Sequence, residues 1–158
     1  MYLENGSDKK FDSPKEHAIM DQKNLVFIPH VLPIVVGATV DFPNSDTVRH
    51  NVFSPKGSAK VFNLGTYDVG VVKEVKFDEP GVVPLLCNVH SEMSAYIIVC
   101  KTPYFSLTDR KGDFIIKNVS PGKYKITVWH EKLRPQSQEI TVEASKEIQV
   151  EFSKLVRK

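Results

Sequence analysis

Val82-Val-Pro-Leu-Leu-Cys87-Asn-Val-His90-Ser-Glu-Met93-Ser-Ala-Tyr-Ile-Ile-Val99 sets a thiol, an imidazole and a thioether within one short polar loop between two apolar runs. The runs, Val82 to Leu86 and Ala95 to Val99, read as strands bounded by turn residues. A loop anchored at both ends by strands at one end of a sandwich holds its side chains in fixed places, as a metal site requires. Cys-x2-His-x2-Met is a set of soft donors. Upstream, Asp41-Phe-Pro-Asn-Ser-Asp-Thr-Val-Arg-His50-Asn51-Val-Phe53 leaves one strand and begins another, so a second imidazole can arrive from a neighbouring strand.

Outward from that loop, short runs of Val, Ile, Phe and Tyr alternate with Gly, Pro, Asn and Asp every eight to twelve residues, the pattern of an all-β sandwich or barrel. Strands are expected at 25–28, 34–42, 50–53, 71–77, 82–86 and 95–99, enough to close one sandwich. No long amphipathic helix is apparent. After the stretch Lys101-Thr-Pro-Tyr104 a second set is expected at 113–117, 123–130, 138–142 and 147–152. Charge supports a division there: residues 1–100 carry 9 basic and 12 acidic side chains, and residues 101–158 carry 12 and 7. Three parts are therefore expected. Residues 1–16 form a flexible arm or cloning remnant, 17–100 a metal-binding β domain, and 101–158 a small β module, which being marginal alone should pack against it.

The whole chain of 158 residues has a net charge of +2, with 41% hydrophobic and 25% charged residues, 8 Gly and 10 Pro. That range is globular and turn-rich, and excludes collagenous, coiled-coil and wholly disordered chains. Basic residues such as Lys132 and Arg134 read as a solvated face, and no basic stripe interleaved with aromatics suggests a nucleic-acid partner. The longest apolar stretch, Val31 to Val40, is broken by Pro33 and Gly37, far short of the ~20 residues of a membrane-spanning helix. The opening MYLENGSDKK has no apolar core, so no secretory signal is expected, and the chain is either cytoplasmic or a mature form. Two cysteines, Cys87 and Cys100, make no disulfide framework.

Two imidazole nitrogens from His50 and His90, the Cys87 sulfur and a weakly bound Met93 sulfur form the trigonal-plus-axial donor set of a blue-copper electron-transfer centre. Zinc competes for Cys and His, yet structural zinc sites favour paired Cys-x2-Cys knuckles, which are missing here. At this point the chain, over about residues 18–100, resembles the cupredoxin family. His50-Asn51 matches the family's His-Asn pair, Pro80-Gly81 its strand opening, and Cys87 follows the glycine by six residues. The ligand loop is similar to the short amicyanin type, and Asn44-x-Asp46-x3-His50 resembles that group's upstream strand. The resemblance implies a Greek-key sandwich in which His50, Cys87, His90 and Met93 bind one type 1 copper and Asn51 ties the two ligand segments together. It implies one-electron transfer with no catalysis, exit of the electron at His90, a redox partner such as a cytochrome or a copper- or haem-containing oxidoreductase, and a periplasmic or other extracytoplasmic location. Copper delivery or storage, or a copper enzyme with an opened site, are the alternatives. One departure is Val83-Pro84, where many members carry a Tyr; an irregular or edge strand is expected there.

The second segment reads Leu107-Thr-Asp109-Arg-Lys-Gly112-Asp-Phe114, then Asn118-Val-Ser-Pro121-Gly122-Lys-Tyr124-Lys-Ile-Thr-Val-Trp129-His130. Over about residues 103–152 it resembles carboxypeptidase-regulatory-like, transthyretin-type β modules, which implies a noncatalytic β-sandwich. A cupredoxin fused to such a module resembles bacterial proteins labelled methylamine-utilisation-like. Trp129-His130 is read as a packed strand end, Cys100 as a buried or edge thiol, and His17 and His30 as solitary imidazoles.

Overall fold

A computed structural model describes residues 1–5 and 9–158. Among them the structure is all-β: β1 (Tyr2–Asn5), β2 (Ala18–Ile19), β3 (Asp21–Lys23), β4 (Val26–Ile28), β5 (Val31–Val35), β6 (Thr39–Pro43), β7 (His50–Ser54), β8 (Phe62–Tyr67), β9 (Val72–Lys76), β10 (Gly81–Leu86), β11 (Ser94–Cys100), β12 (Gly122–His130) and β13 (Leu133–Val142). No helix is long and apolar enough to cross a membrane. The chain divides into two compact units, Asp12–Cys100 and a second made of Met1–Phe11 with Lys101–Lys158.

The Asp12–Cys100 unit has a five-stranded sheet in the order β5-β11-β10-β7-β8, a three-stranded sheet β2-β6-β9 and the small ladder β3-β4. Most ladders are antiparallel, but β5 runs parallel to β11 and β2 parallel to β6. Period-2 alternation sends one face of each strand inward. Val83 and Leu85 of β10, Ala95, Ile97 and Val99 of β11, and Val52 of β7 meet Val40 and Phe42 of β6 in one buried core, which closes over Phe77 and Met20. Each such aliphatic side chain stabilises the fold by about 1.5–3 kcal/mol. The same parity continues past the strand ends: Cys87 follows 83 and 85, Met93 precedes 95 and 97, and His50 precedes Val52. All three are buried.

Three expectations fail in this unit. The run 34–42 is two strands, because Gly37 turns the chain at φ +88 and packs so closely on Ser13 that a Cβ there would collide with its Oγ. Strands β2, β3 and β8 were not foreseen. Pro84 does not mark an edge, since β10 is internal to its sheet and Pro84 lies opposite Tyr96 of β11. On the other side β10 is registered with β7 only at Leu86↔Phe53, so a residue without an N–H is tolerated.

In the other unit β1, β12 and β13 form an antiparallel sheet in that order. Residues 2–5 are therefore not part of a free arm. Tyr2–Asn5 pairs with Thr127–Tyr124, Leu3 is buried with Tyr124 and Ile126, and Thr102 Oγ1 donates to the Leu3 carbonyl at 2.7 Å. The expected strands at 113–117 and 147–152 are absent as ladder elements, yet Phe114, Ile116, Val150 and Phe152 pack on the same core. Gln138 Nε2 donates to the Glu151 carbonyl at 2.6 Å, a side-chain bond standing where a ladder was expected.

Candidate metal centre

β7 delivers His50 and Asn51, and the loop from β10 to β11 delivers Cys87, His90 and Met93. Two segments some forty residues apart thus converge because β7 and β10 are neighbours in one sheet. His50 Nδ1 lies 3.1 Å from His90 Nδ1 and 4.0 Å from Cys87 Sγ, and the two rings meet edge to face with centroids 4.8 Å apart. His50 and Cys87 are buried, while His90 is half-buried. Met93 is buried in the same core as Cys87, and its N–H donates to the His90 carbonyl at 3.0 Å, closing the loop.

Asn51 holds the two segments together. Its backbone N–H donates to Cys87 Sγ at 3.5 Å, its Oδ1 accepts from the Asn88 N–H at 3.2 Å, and its Nδ2 donates to Asn63 Oδ1 at 2.9 Å and to the Gly65 carbonyl at 3.1 Å. The register of β7 against β8 shifts between Asn51 and Phe53, a bulge at the residue that serves these four neighbours.

Asp46 was given no role by sequence reasoning, and it belongs to the site. Its Oδ2 accepts from His50 Nε2 and from the Leu25 N–H, each at 2.8 Å, and its Oδ1 from the Thr47 N–H at 2.8 Å. The Leu25 N–H, with the His50 ring and the Thr47 N–H, holds the Asp46 carboxyl well below the usual carboxylate range, against the upward push of desolvation. With Nε2 bonded to a carboxylate, His50 presents Nδ1, the nitrogen facing Cys87 and His90, as its free donor. Asn44 braces the turn, with Oδ1 accepting from the Asp46 N–H at 3.1 Å and Nδ2 donating to the Val48 carbonyl at 2.9 Å. An acid four residues before His50 was the available signal.

Behind the site, Tyr67 stands opposite His50 in the β7–β8 ladder, donates to the Phe42 carbonyl at 2.9 Å and accepts from Gln22 Nε2 at 2.6 Å. Burial pushes its phenol up to about 12; the Gln22 bond opposes the rise and negative charge at Cys87 adds to it.

The donor set fits a metal. Two imidazole nitrogens at about 2.0 Å and a thiolate at about 2.3 Å in one plane stand about 3.5 Å apart (N to N) and about 3.7 Å apart (N to S). The present spacings of 3.1 and 4.0 Å straddle those values. One thiolate, two imidazoles and a thioether favour copper over the hard cations.

Among solved structures, the chain is similar to amicyanin from Paracoccus versutus, with 21% identity and a TM-score of 0.50, over 63% of this chain and 98% of that one. A copper-containing nitrite reductase from Thermus scotoductus SA-01 matches with 22% identity and a TM-score of 0.53, over 65% of this chain and 26% of the enzyme. This chain carries a cupredoxin fold. A novel purple cupredoxin from Nitrosopumilus maritimus is 29% identical over 52% of this chain and 99% of its own, with a TM-score of 0.48. A family profile described as polysaccharide lyase family 4, domain II, matches residues 81–150, so it begins within the cupredoxin fold at β10 and runs on past β13. No curated protein matches in sequence.

The other sequence candidates make contacts of their own. Cys100 is buried on β11 with its Sγ 3.6 Å from the Ile98 carbonyl. His30 packs edge-on to Tyr96 at 5.8 Å, and His130 Nδ1 accepts from the Lys132 N–H at 3.1 Å. His17 is not solitary, because its Nδ1 lies 2.8 Å from Asp41 Oδ1.

Proposed function

We propose that the protein is a type 1 copper protein that carries single electrons between redox partners. The observation behind this reading is the convergence of His50 Nδ1, Cys87 Sγ and His90 Nδ1, brought from two segments to within metal-sharing distance. Copper bound there supplies a one-electron couple between its +1 and +2 states. Cys87 as thiolate, with His50 and His90, would hold the ion, and Met93 would be a weak further donor that tunes the potential. Asn51 and Asp46 keep the donors in place across the redox change, which keeps the cost of reorganisation low. His90 is half-buried while His50 and Cys87 are buried, so the electron would leave through His90.

The partner in this reading is a cytochrome or a copper- or haem-containing oxidoreductase, met outside the cytoplasm. Residues 101–158 serve as a noncatalytic, metal-free β module of the carboxypeptidase-regulatory-like kind that docks a partner, an arrangement resembling methylamine-utilisation-like proteins.

Voltammetry of the copper-loaded protein tests this function. A reversible one-electron couple, unchanged by nitrite or azide, is expected. A couple or spectrum that shifts when nitrite or azide is added would mean an open coordination position and an enzyme. Prompt loss of copper to a weak chelator would mean delivery or storage.

A further inference from the structure

The three-stranded sheet β2-β6-β9 holds a separate cluster. His17 immediately precedes β2, Asp41 lies on β6 and Glu74 on β9. Asp41 and Glu74 are direct register partners across the antiparallel β6–β9 ladder, and Ile19 pairs with Asp41 on the other side, which brings His17 to the same end of the sheet. His17 Nδ1 is 2.8 Å from Asp41 Oδ1 and 3.7 Å from Glu74 Oε2, and the three donor atoms all lie within 4.8 Å of one another.

Two carboxylates directly opposite each other in a ladder repel and destabilise the sheet unless a cation joins them. The lysine next along β9 on that face does not do so, because Lys76 extends its ammonium to Asp78 Oδ1 at 3.5 Å. Backbone hydrogen bonding of the β6–β9 ladder fixes the Cα positions of this repelling pair, and His17 stands directly before the paired residues of β2.

We infer that His17, Asp41 and Glu74 form a second metal site, which takes a divalent ion of the zinc class. A tetrahedral ion with N and O ligands at about 2.1 Å spaces its donors about 3.4 Å apart, and the observed separations of 2.8 and 3.7 Å straddle that figure. One imidazole with two carboxylates suits zinc better than calcium or magnesium, which take oxygen alone. Side-chain exposures of 38% for His17 and 69% for Glu74 leave the remaining coordination positions to water. The ion bridges β6 to β9 and ties the start of β2 to both, so its effect is to clamp the edge of the sheet. The set has no thiolate and shares no residue with the Cys87 centre, so it stands whatever metal that centre holds.

The test is a zinc titration of the intact metal-free protein, followed by imidazole-resolved nuclear magnetic resonance. In the wild type the His17 ring signals should move with added zinc, separately from those of His50 and His90. In Glu74→Gln, whose folding the same spectrum reports, His17 should stop responding while His50 and His90 still do. Melting gives a second readout. In the presence of chelator Glu74→Gln should melt higher than wild type, since the like-charge pair is gone, and its gain on adding zinc should be smaller. A His17 ring indifferent to zinc in the wild type, or one that responds equally in Glu74→Gln, would overturn the site and leave only an imidazolium shared between two carboxylates.

Discussion

Replacing Asp46 by Asn tests how the first imidazole is held. Three donors end on this carboxylate, the Leu25 and Thr47 N–H groups and His50 Nε2, all at 2.8 Å, and the side chain is only 7% exposed. An amide keeps one acceptor oxygen and turns an N–H toward whatever faced the other. At least one of the three bonds is therefore lost and replaced by two opposed donors. Hydrogen bonds to a charged group contribute about 1.5–3 kcal/mol each, and a buried donor left without its acceptor costs about 1–3 kcal/mol. We expect Asp46→Asn to destabilise the metal-free protein by about 3 kcal/mol near neutral pH, read by urea denaturation of the transition that buries Asp46. The pH dependence has a fixed sign. The Asp46 carboxyl is held below its ordinary value of 3.8 in the folded state, so its stabilising contribution is complete above that pH. It is lost as pH falls below 3.8 toward the lower folded value, and the gap between wild type and Asp46→Asn should narrow over the same interval. A loss of under about 1 kcal/mol at neutral pH, or a gap that stays constant down through pH 3.8, would refute the buried charge-assisted network.

Met93→Leu should retain copper and colour while raising the reduction potential, since losing a weak axial donor disfavours Cu(II) more than Cu(I); loss of copper binding would make Met93 a main ligand. Asn51→Ala removes three side-chain hydrogen bonds that join β7, β8 and the ligand loop, and should cost about 2 kcal/mol or more by chemical denaturation, a neutral result counting against Asn51 as the tie. Leu3→Ala should destabilise the unit containing β12 by about 2–5 kcal/mol, measured as faster hydrogen exchange at Tyr124 and Ile126, because Leu3 is buried in that unit's core; unchanged exchange would return residues 2–5 to the status of a dispensable arm.

The candidate donor cluster was legible because its residue types are uncommon and closely spaced, and because strand parity carries Cys87, Met93 and His50 to the inner face. Asp46 was visible only as an acid four residues before His50 and as part of a resemblance. Its role depends on the Leu25 N–H from another loop, and such a contact leaves no periodic trace. β8 escaped because Gly65, at φ +69, breaks the alternation between Leu64 and the buried Tyr67. β1 escaped for a different reason: its only buried side chain is Leu3, and its partner β12 lies more than a hundred residues away. The alternation at Phe114, Ile116, Val150 and Phe152 reported correctly which side chains face the core, but not whether their backbones join a ladder. Hydrophobic period predicts facing, whereas ladder formation depends on a partner elsewhere in the chain.

The central claim is a copper ion bonded to the Cys87 thiolate in a plane with His50 and His90. Visible and paramagnetic-resonance spectra, recorded as one equivalent of Cu(II) is added to the metal-free protein, test it most directly. The account predicts an intense sulfur-to-copper charge-transfer band with a paramagnetic signature to match, both absent from Cys87→Ser. A colourless stoichiometric Cu(II) complex of the intact protein would contradict it.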